Sequence, residues 1–287
     1  MTTLSPSKTQ INSVIALYSN GQIEKAIEGV EALIKDYPNE ALLHNISGAF
    51  YQAIGQLNES VKSFEKAITI NSDYAEAHYN LGFTLQQLGQ LEAAMKSYEQ
   101  AIAIKHAYPN AHNNLGAIHQ ELGKLDAAVK SYEQAIAIKP DYADAYNNLG
   151  NALRDLGQLD AAVKCYEKAF SIKPDFAVAH HHLSIHKKYT ASDPHIAQMQ
   201  SLLSTSNLSQ SDRTRLCFAL AKVNEDLGKQ DEQFEFLHEG NRLRKEELNY
   251  SLDNSQILSS IIKKMFSSTL SPSYEPSTIQ PIFIVGM

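Results

Sequence analysis

Residues 77–104 read AHYNLGFTLQQLGQLEAAMKSYEQAIAI, and residues 111–138 and 145–172 repeat this segment with few changes. The glycine between the two halves of the segment recurs at one constant interval along the chain. Such a fixed period is typical of a stack of repeated structural units. Aligned on Gly21, Gly55, Gly89, Gly123 and Gly157, the sequence divides into five consecutive units: 7–40, 41–74, 75–108, 109–142 and 143–176.

Each unit is predicted to form two α-helices joined by a short turn. In the last of the five, apolar residues recur at helical spacing as Tyr146, Leu149 and Leu153, and the second half repeats the pattern. Gly157 lies at the end of the first helix, where a residue in the left-handed backbone conformation, usually glycine, is common. Pro174 follows the second half, where a helix cannot continue.

Small residues recur where the two helices of a unit must approach closely, and large residues fill the gap to the next unit. The small residues of the first helices are Gly82, Gly116 and Gly150. The large residues of the second helices are Tyr98, Tyr132 and Tyr166. One hairpin cannot bury its apolar face alone, but a stack of hairpins makes a continuous core. The sequence therefore predicts an all-α fold.

The unit length, the Leu-Gly pair, the glycine between helices and the Ala, Tyr, Ala, Pro series resemble the tetratricopeptide repeat (TPR) family. The resemblance implies a right-handed α-solenoid of helix hairpins, with five TPR units over 7–176. One departure is the absence of the tryptophan that the family pattern places on the first helix. The equivalent positions hold His44, His78, His112, Tyr146 and His180.

Beyond residue 176 the repeats diverge and form a helical C-terminal cap. Gly228 follows Gly157 by slightly more than two periods, so 177–213 is interpreted as a degenerate unit with a short insertion and 214–247 as a diverged unit. Residues 1–6 are an N-terminal tail, and a helix is expected over 195–204, opened by Pro194. A C-terminal helix over 248–268, a Ser/Pro-rich linker over 269–281 and a short strand over 282–287 complete the prediction.

The final residues PIFIVGM, 281–287, resemble the first strand of a sulfotransferase domain, and the segment from His181 to Lys245 resembles the joining region of bacterial TPR–sulfotransferase proteins. The resemblance implies that a donor-binding loop lies beyond Met287. Phosphoadenosine phosphosulfate (PAPS) would then be a cofactor only if that domain follows. No catalytic residue is assigned in the chain as given, which is expected to be inactive as an enzyme.

In a TPR stack the first helices line the concave side, so one stripe of each is predicted to face a groove. The candidate groove residues are Tyr79, Asn80, Phe83, Gln86, Asn113, Asn114, Gln120, Asn147, Asn148, Asn151 and Arg154. Among them Asn80, Asn114 and Asn148 recur at the repeat interval, and an amide can pair with both polar groups of a peptide backbone. This column resembles the asparagine ladder of O-linked N-acetylglucosamine transferases. The alternative is that asparagine is simply the TPR consensus on a solvated face.

Two other kinds of site, a carboxylate clamp and a metal site, each lack part of the residue set that they need. A carboxylate clamp for an acidic C-terminus needs cations that converge from adjacent first helices, but the central groove offers only Arg154, with Lys187 and Lys188 near its end. His182 and His186 are spaced to share a helix face, but no carboxylate or cysteine completes a metal-ligand set. No metal site is therefore predicted.

The composition of the chain argues against some classes of partner. The 25 basic and 32 acidic residues give a net charge of −7, which argues against a nucleic-acid partner. The polar N-terminus and the lack of a long apolar run predict neither a secretory signal nor a membrane partner, and two isolated cysteines fit a cytoplasmic location. We expect a scaffold that binds a protein or peptide and recruits substrates for a linked sulfotransferase. The alternatives are the enzyme itself, if the chain is a fragment, and a free-standing assembly adaptor; repeat ends could promote a homodimer.

Overall fold

The computed structural model of the chain describes residues 5–248. Within that range the protein forms fourteen α-helices and no β-strand, which confirms the predicted all-α class. The predicted linker and strand, and all but the first residue of the predicted C-terminal helix, lie outside the described residues.

The first ten helices form five antiparallel pairs. They are α1 (Lys8–Ser19), α2 (Ile23–Asp36), α3 (Ala41–Ala53), α4 (Leu57–Ile70), α5 (Ala75–Gln87), α6 (Leu91–Ile104), α7 (Pro109–Glu121), α8 (Leu125–Ile138), α9 (Ala143–Asp155) and α10 (Leu159–Ile172). Four further helices follow: α11 (Ala177–His186), α12 (Pro194–Leu203), α13 (Gln210–Asp226) and α14 (Gln230–Glu247). The second helices of successive units begin at the same interval at which the glycines recur, so the sequence period is the structural period.

The glycine between the two helices of each regular unit has a positive φ, as the sequence predicts. Gly123, for example, has φ 71°, and no heavy atom lies near the position of an added Cβ. The constraint is therefore on backbone conformation rather than on space, because a left-handed residue ends the first helix and lets the chain reverse. Gly228 has the same conformation between α13 and α14, with φ 70°.

Each central hairpin closes on a contact between a glycine and a tyrosine. A Cβ built on Gly116 would lie 2.7 Å from Cε1 of Tyr132, and one built on Gly150 would lie 2.6 Å from Cε1 of Tyr166. Both tyrosine side chains are fully buried. The small residues predicted at close approaches are thus confirmed, since any larger side chain would displace a core ring.

Consecutive units share one continuous core. Phe64, Tyr98, Leu115 and Ile118 belong to a single buried cluster that spans α4 to α7. Consecutive first helices also contact one another directly, α3 with α5, α5 with α7 and α7 with α9. The first helices therefore line the inner side of the stack, as expected for a TPR solenoid.

The sixth unit differs from the degenerate hairpin predicted over 177–213. Helix α11 packs against α13 instead of α12, and α12 packs against α13. At the two closing positions, one repeat interval after Gly150 and Tyr166, stand Ser184 and the exposed Gln200. No glycine–tyrosine contact therefore forms between α11 and α12, and His180 and His195 meet there instead.

Helix α13 starts earlier than the unit predicted at 214, because Ser209 caps it by accepting a hydrogen bond from the backbone N–H of Asp212 at 3.1 Å. The last hairpin, α13 with α14, closes by the reverse arrangement of large and small residues. A Cβ on Gly240 of α14 would lie 3.0 Å from Cε1 of Phe218 on α13.

Candidate functional site

The inner face presents one column of equivalent positions, one from each first helix. Its members are Ile15, Ala49, Phe83, Ala117, Asn151 and Ile185. Three of them are large, apolar and exposed: Ile15 at 41%, Phe83 at 39% and Ile185 at 48%. Phe83 stands alone between two alanines, in the middle of the array. It is therefore an exposed aromatic ring with small neighbours on both sides along the stack.

A chain of side-chain hydrogen bonds runs beside this column and links each unit to the one before it. Asn80 donates from Nδ2 to Oδ1 of Asn45 at 3.0 Å, and Asn148 donates to Oδ1 of Asn113 at 3.1 Å. Asn114 donates to the hydroxyl of Tyr79 at 3.2 Å. In every case the two partners are 35 residues apart. The asparagine column thus ties the stack together.

The structure corrects two of the predicted groove residues. Asn113 and Asn147 are buried, at 7% and 5% exposure, and do not face the groove. Each has a hydrogen-bond partner in the next unit, and for Asn147 that partner is Nδ1 of His182 at 3.0 Å. Adjacent asparagines are alike in sequence, but they leave the helix in different directions, so Asn113 and Asn147 meet the next unit while Asn114 and Asn148 meet the preceding one.

Asn80, Asn114 and Asn148 are half-buried and lie at the edge of the inner face. Sequence reasoning missed Asn45 and His182, which begin and end the same chain of hydrogen bonds. Both could have been found from the repeat interval. His182 follows Asn148 by one interval, and Asn45 lies one residue before the position that precedes Asn80 by one interval.

Gln86, Gln120 and Asn151, all predicted groove residues, accept hydrogen bonds from the hydroxyl groups of the core tyrosines. Tyr98 donates to Oε1 of Gln86 at 3.1 Å, and Tyr132 donates to Oε1 of Gln120 at 3.1 Å. In the fifth unit, where the equivalent of these glutamines is Arg154, Tyr166 donates to Oδ1 of Asn151 at 3.0 Å. These amides therefore anchor buried rings from the groove side.

Burial raises the pKa of each of these three tyrosines, that of Tyr166 to about 12. The pKa of Tyr79 is also raised by burial. Its ring stacks on Tyr108 with centroids 5.0 Å apart, so Tyr79 is a half-buried packing residue as well as a groove residue. All four rings are neutral hydrogen-bonding groups at ordinary pH.

The cations near the groove are paired with carboxylates. Arg154 donates from Nη2 to Oδ1 of the adjacent Asp155 at 2.9 Å, and Gln120 donates to the same carboxylate at 2.7 Å. Lys187 pairs with Asp193 at 2.8 Å, and Lys188 pairs with the buried Asp226 at 2.9 Å. No set of cations converges on the inner face within the described residues, so the geometry does not form a carboxylate clamp.

The histidine run takes part in packing. His180 occupies the slot that the sequence analysis assigned to it, fully buried, and His182 and His186 both lie against Tyr166. Among residues 5–248, no group of three or more His, Cys, Asp or Glu side chains is arranged to hold a metal ion. In the same part of the chain, no helix combines the length and the hydropathy that crossing a membrane requires.

The repeats match known families by sequence. One model of the tetratricopeptide repeat matches residues 107–175, and a second TPR model matches residues 48–89 and 85–123. Residues 48–175 are therefore a TPR array, and TPR scaffolds typically mediate protein–protein or peptide interactions. No curated protein sequence matches the chain.

Solved structures agree with this assignment. The crystal structure of MamA is 28% identical with a TM-score of 0.53, and the match covers 59% of this chain and 96% of that one. The C-terminal part of a TPR repeat-containing protein from Cytophaga hutchinsonii, at 14% identity, matches 81% of this chain and 95% of its own with a TM-score of 0.62. PilF of Pseudomonas aeruginosa, at 16% identity, matches 77% of this chain and 97% of its own with a TM-score of 0.59. The latter two share the fold alone.

Proposed function

We propose that the inner face of the first helices binds an extended segment of a partner protein. The observation that carries the proposal is the exposed ring of Phe83, which the stack leaves uncovered at the centre of the face. Ala49 and Ala117 hold the equivalent positions on either side, so an apolar side chain of the partner can lie against the ring from both directions. Because 39% of Phe83 is exposed, covering it contributes about 0.6–1.2 kcal/mol of the 1.5–3 kcal/mol available from a fully exposed ring, which makes Phe83 the main apolar contact of the site.

The half-buried asparagines place polar groups beside Phe83 that can bind the backbone of the partner. An amide has two N–H groups and a carbonyl oxygen, and the hydrogen bond to the preceding unit uses one N–H of Asn80 and one of Asn148. The other groups can meet the N–H and C=O of a partner backbone. Peptide backbone is common to all sequences, so these contacts would hold an extended chain while Phe83 selects an apolar residue.

The charge of the inner face indicates which peptides it can bind. Arg154 is already paired with Asp155, while Glu121 is exposed on the same face. The face is thus neutral to acidic, which disfavours an acidic peptide because like charges repel. We therefore propose a neutral or basic segment with one large apolar residue as the ligand.

The test uses Phe83→Ser in the full chain, with Ile104→Ser as the matched control, because Ile104 is similarly exposed on a second helix. A library of random peptides, selected on the wild-type protein, supplies the probes. We expect the selected peptides to bind Phe83→Ser about three- to eightfold more weakly and Ile104→Ser as tightly as wild type. Equal affinity for wild type and Phe83→Ser, or failure of the library to enrich any peptide, would contradict the proposal.

We further propose that the array recruits acceptor proteins for a sulfotransferase in a bacterial cytoplasm. The support is the resemblance of residues 281–287 and of the joining region to TPR–sulfotransferase proteins. Two alternatives are an enzyme in the same polypeptide, with PAPS as its cofactor, and a free-standing adaptor. The coding sequence beyond Met287 distinguishes them: a Pro-Arg-Ser-Gly-Thr segment supports the sulfotransferase, and an immediate stop codon supports the adaptor.

A further inference from the structure

The open sixth unit contains a buried stack of aromatic and histidine rings. Phe170 of α10 stacks on His180 of α11 and on His195 of α12, with centroids 4.7 and 4.9 Å away. His180 and His195 are 1% and 3% exposed, and Tyr189 of the connecting loop is 3% exposed. This stack is where α12 meets the repeat array, and it lies at one wall of a cleft of about 700 Å³ between α10, α11 and α12.

The hydrogen bonds of the stack form a chain with only one consistent set of donors. Nε2 of His180 lies 2.8 Å from the carbonyl oxygen of Pro174, which can only accept, so Nε2 of His180 carries a hydrogen. Nδ1 of neutral His180 must then accept from Nε2 of His195, 2.7 Å away. Nδ1 of His195 is left to accept from the hydroxyl of Tyr189 at 2.7 Å.

This arrangement has no place for a further proton. A proton on Nδ1 of His180 would point at the N–H of His195. A proton on Nδ1 of His195 would force the Tyr189 hydroxyl to lose its acceptor, and would place a positive charge in a buried ring stack. Either event breaks the contact that joins α12 to α11.

The charged groups around the stack do not supply a compensating partner. Asp175 faces His180 from the α10–α11 loop, and Asp193 and Lys187 face His195 from the α11–α12 loop. Asp193 is already paired with Lys187 and accepts a hydrogen bond from the backbone N–H of His195 at 3.0 Å, which caps α12. On the side of Tyr189, Glu167 and Asp226 act on the phenol from α10 and α13.

We propose that the chain Pro174–His180–His195–Tyr189 is an acid-labile clasp that holds α12 against the repeat array and releases it when the histidines take up protons. Release would enlarge the cleft beside α12 and leave the regular units intact, since their glycine–tyrosine contacts contain no group that titrates near neutral pH. Acidification would thus open the cleft beside α12 while the glycine–tyrosine contacts of the regular units persist.

The sign of the pH dependence follows from the histidines. Burial lowers the pKa of both rings, that of His195 to about 3, below the ordinary value of about 6.5. The closed clasp is therefore favoured above about pH 6.5 and loses stability as the pH falls. Each histidine that stays neutral when closed but ionises when open raises the opening constant by up to tenfold per pH unit, so two histidines raise it by up to about a hundredfold.

Hydrogen–deuterium exchange of the α12 amides, corrected for intrinsic rates and read between pH 6 and 5, where the histidines of the open state are largely ionised, measures this slope on the full chain. We expect the logarithm of the opening constant to rise by about two per unit fall in pH for wild type. The slope falls to about one in His195→Phe and to about zero in the double variant His180→Phe/His195→Phe. His78→Phe is the matched control, because Nε2 of His78 bonds the Ser72 carbonyl at 3.0 Å in the equivalent slot of a regular unit. It should leave the α12 slope at two.

Two results would overturn the clasp. One is a wild-type slope near zero, or a slope that the double variant leaves unchanged. The other comes from the unaltered protein and so does not depend on whether the variants fold: nitrogen-15 spectra of the imidazole rings at pH 7 must show the hydrogen of both His180 and His195 on Nε2. A hydrogen on Nδ1 of either ring at that pH contradicts the donor order on which the clasp rests.

Discussion

The fifth and sixth units carry different residues at the two positions where their helices meet. In the fifth, Gly150 receives the buried ring of Tyr166, and α9 and α10 close over it. In the sixth, Ser184 and the exposed Gln200 stand at those positions, and α12 turns away from α11. The two units thus differ in the residues that meet between their helices, although the first unit closes without a glycine–tyrosine pair, with Val14 and Val30 at these positions.

The two regions also differ in how polar groups are used. In the regular units the amides tie each unit to the one before it, and none of these groups titrates near neutral pH. In the sixth unit a pair of buried histidines joins α12 to the array. We therefore expect the amide ties between regular units to persist at low pH, and the contact between α12 and the array to respond to acid.

The largest effect is expected from cutting the ties between regular units, with Asn80, Asn114 and Asn148 replaced together by Ala. Each loses a hydrogen bond to the preceding unit worth about 0.5–1.5 kcal/mol, so the free energy of unfolding should fall by about 1.5–4.5 kcal/mol. Urea unfolding measures the change. Asn110→Ala, at an exposed position, is the control and should cost less than about 0.5 kcal/mol. A triple variant as stable as wild type would mean that the amide chain contributes nothing to the stack.

The next effect concerns the closing contact itself. Gly116→Val places a branched side chain where even a Cβ lies 2.7 Å from the Tyr132 ring, and should lower the free energy of unfolding by about 1–3 kcal/mol. The adjacent Ala117→Val adds comparable bulk on the half-buried inner face and should cost less than about 1 kcal/mol. Equal melting temperatures for the two variants would contradict the role assigned to the glycine–tyrosine contact.

The repeat period predicted the regular helices and the close approach at Gly116 and Gly150, but it assigned the tyrosines to the gap between units, whereas each ring also lies on the glycine of its own unit. The period could not show that Asn113 and Asn147 are buried, since two neighbouring asparagines on a helix look alike in sequence. The bonds of Asn80 and Asn148 were also not foreseen, because partners 35 residues apart meet only when units stack. For this reason the sequence predicted asparagines free to face the groove, whereas the structure shows Asn80 and Asn148 bonded to the preceding unit, so that their loss is expected to lower stability.

The sixth unit shows a different limit. Its glycine and tyrosine positions could have been compared with those of the regular units, and Ser184 and Gln200 would have shown that the glycine–tyrosine contact is missing. The contact between His180 and His195 could not be foreseen in this way, because it depends on where α12 goes once it leaves the regular path.

The central claim is that partners bind in the concave groove, and photo-crosslinking tests it most directly. One variant carries a photo-crosslinking amino acid in place of Phe83 on the concave face. A second variant carries it in place of the exposed Gln100 on the outer side of α6. Both full chains are irradiated with peptides selected on wild type. The account predicts crosslinks from position 83, suppressed by excess unlabelled peptide, and none from position 100. Crosslinks from position 100 without crosslinks from position 83 would contradict the claim that partners bind in the concave groove.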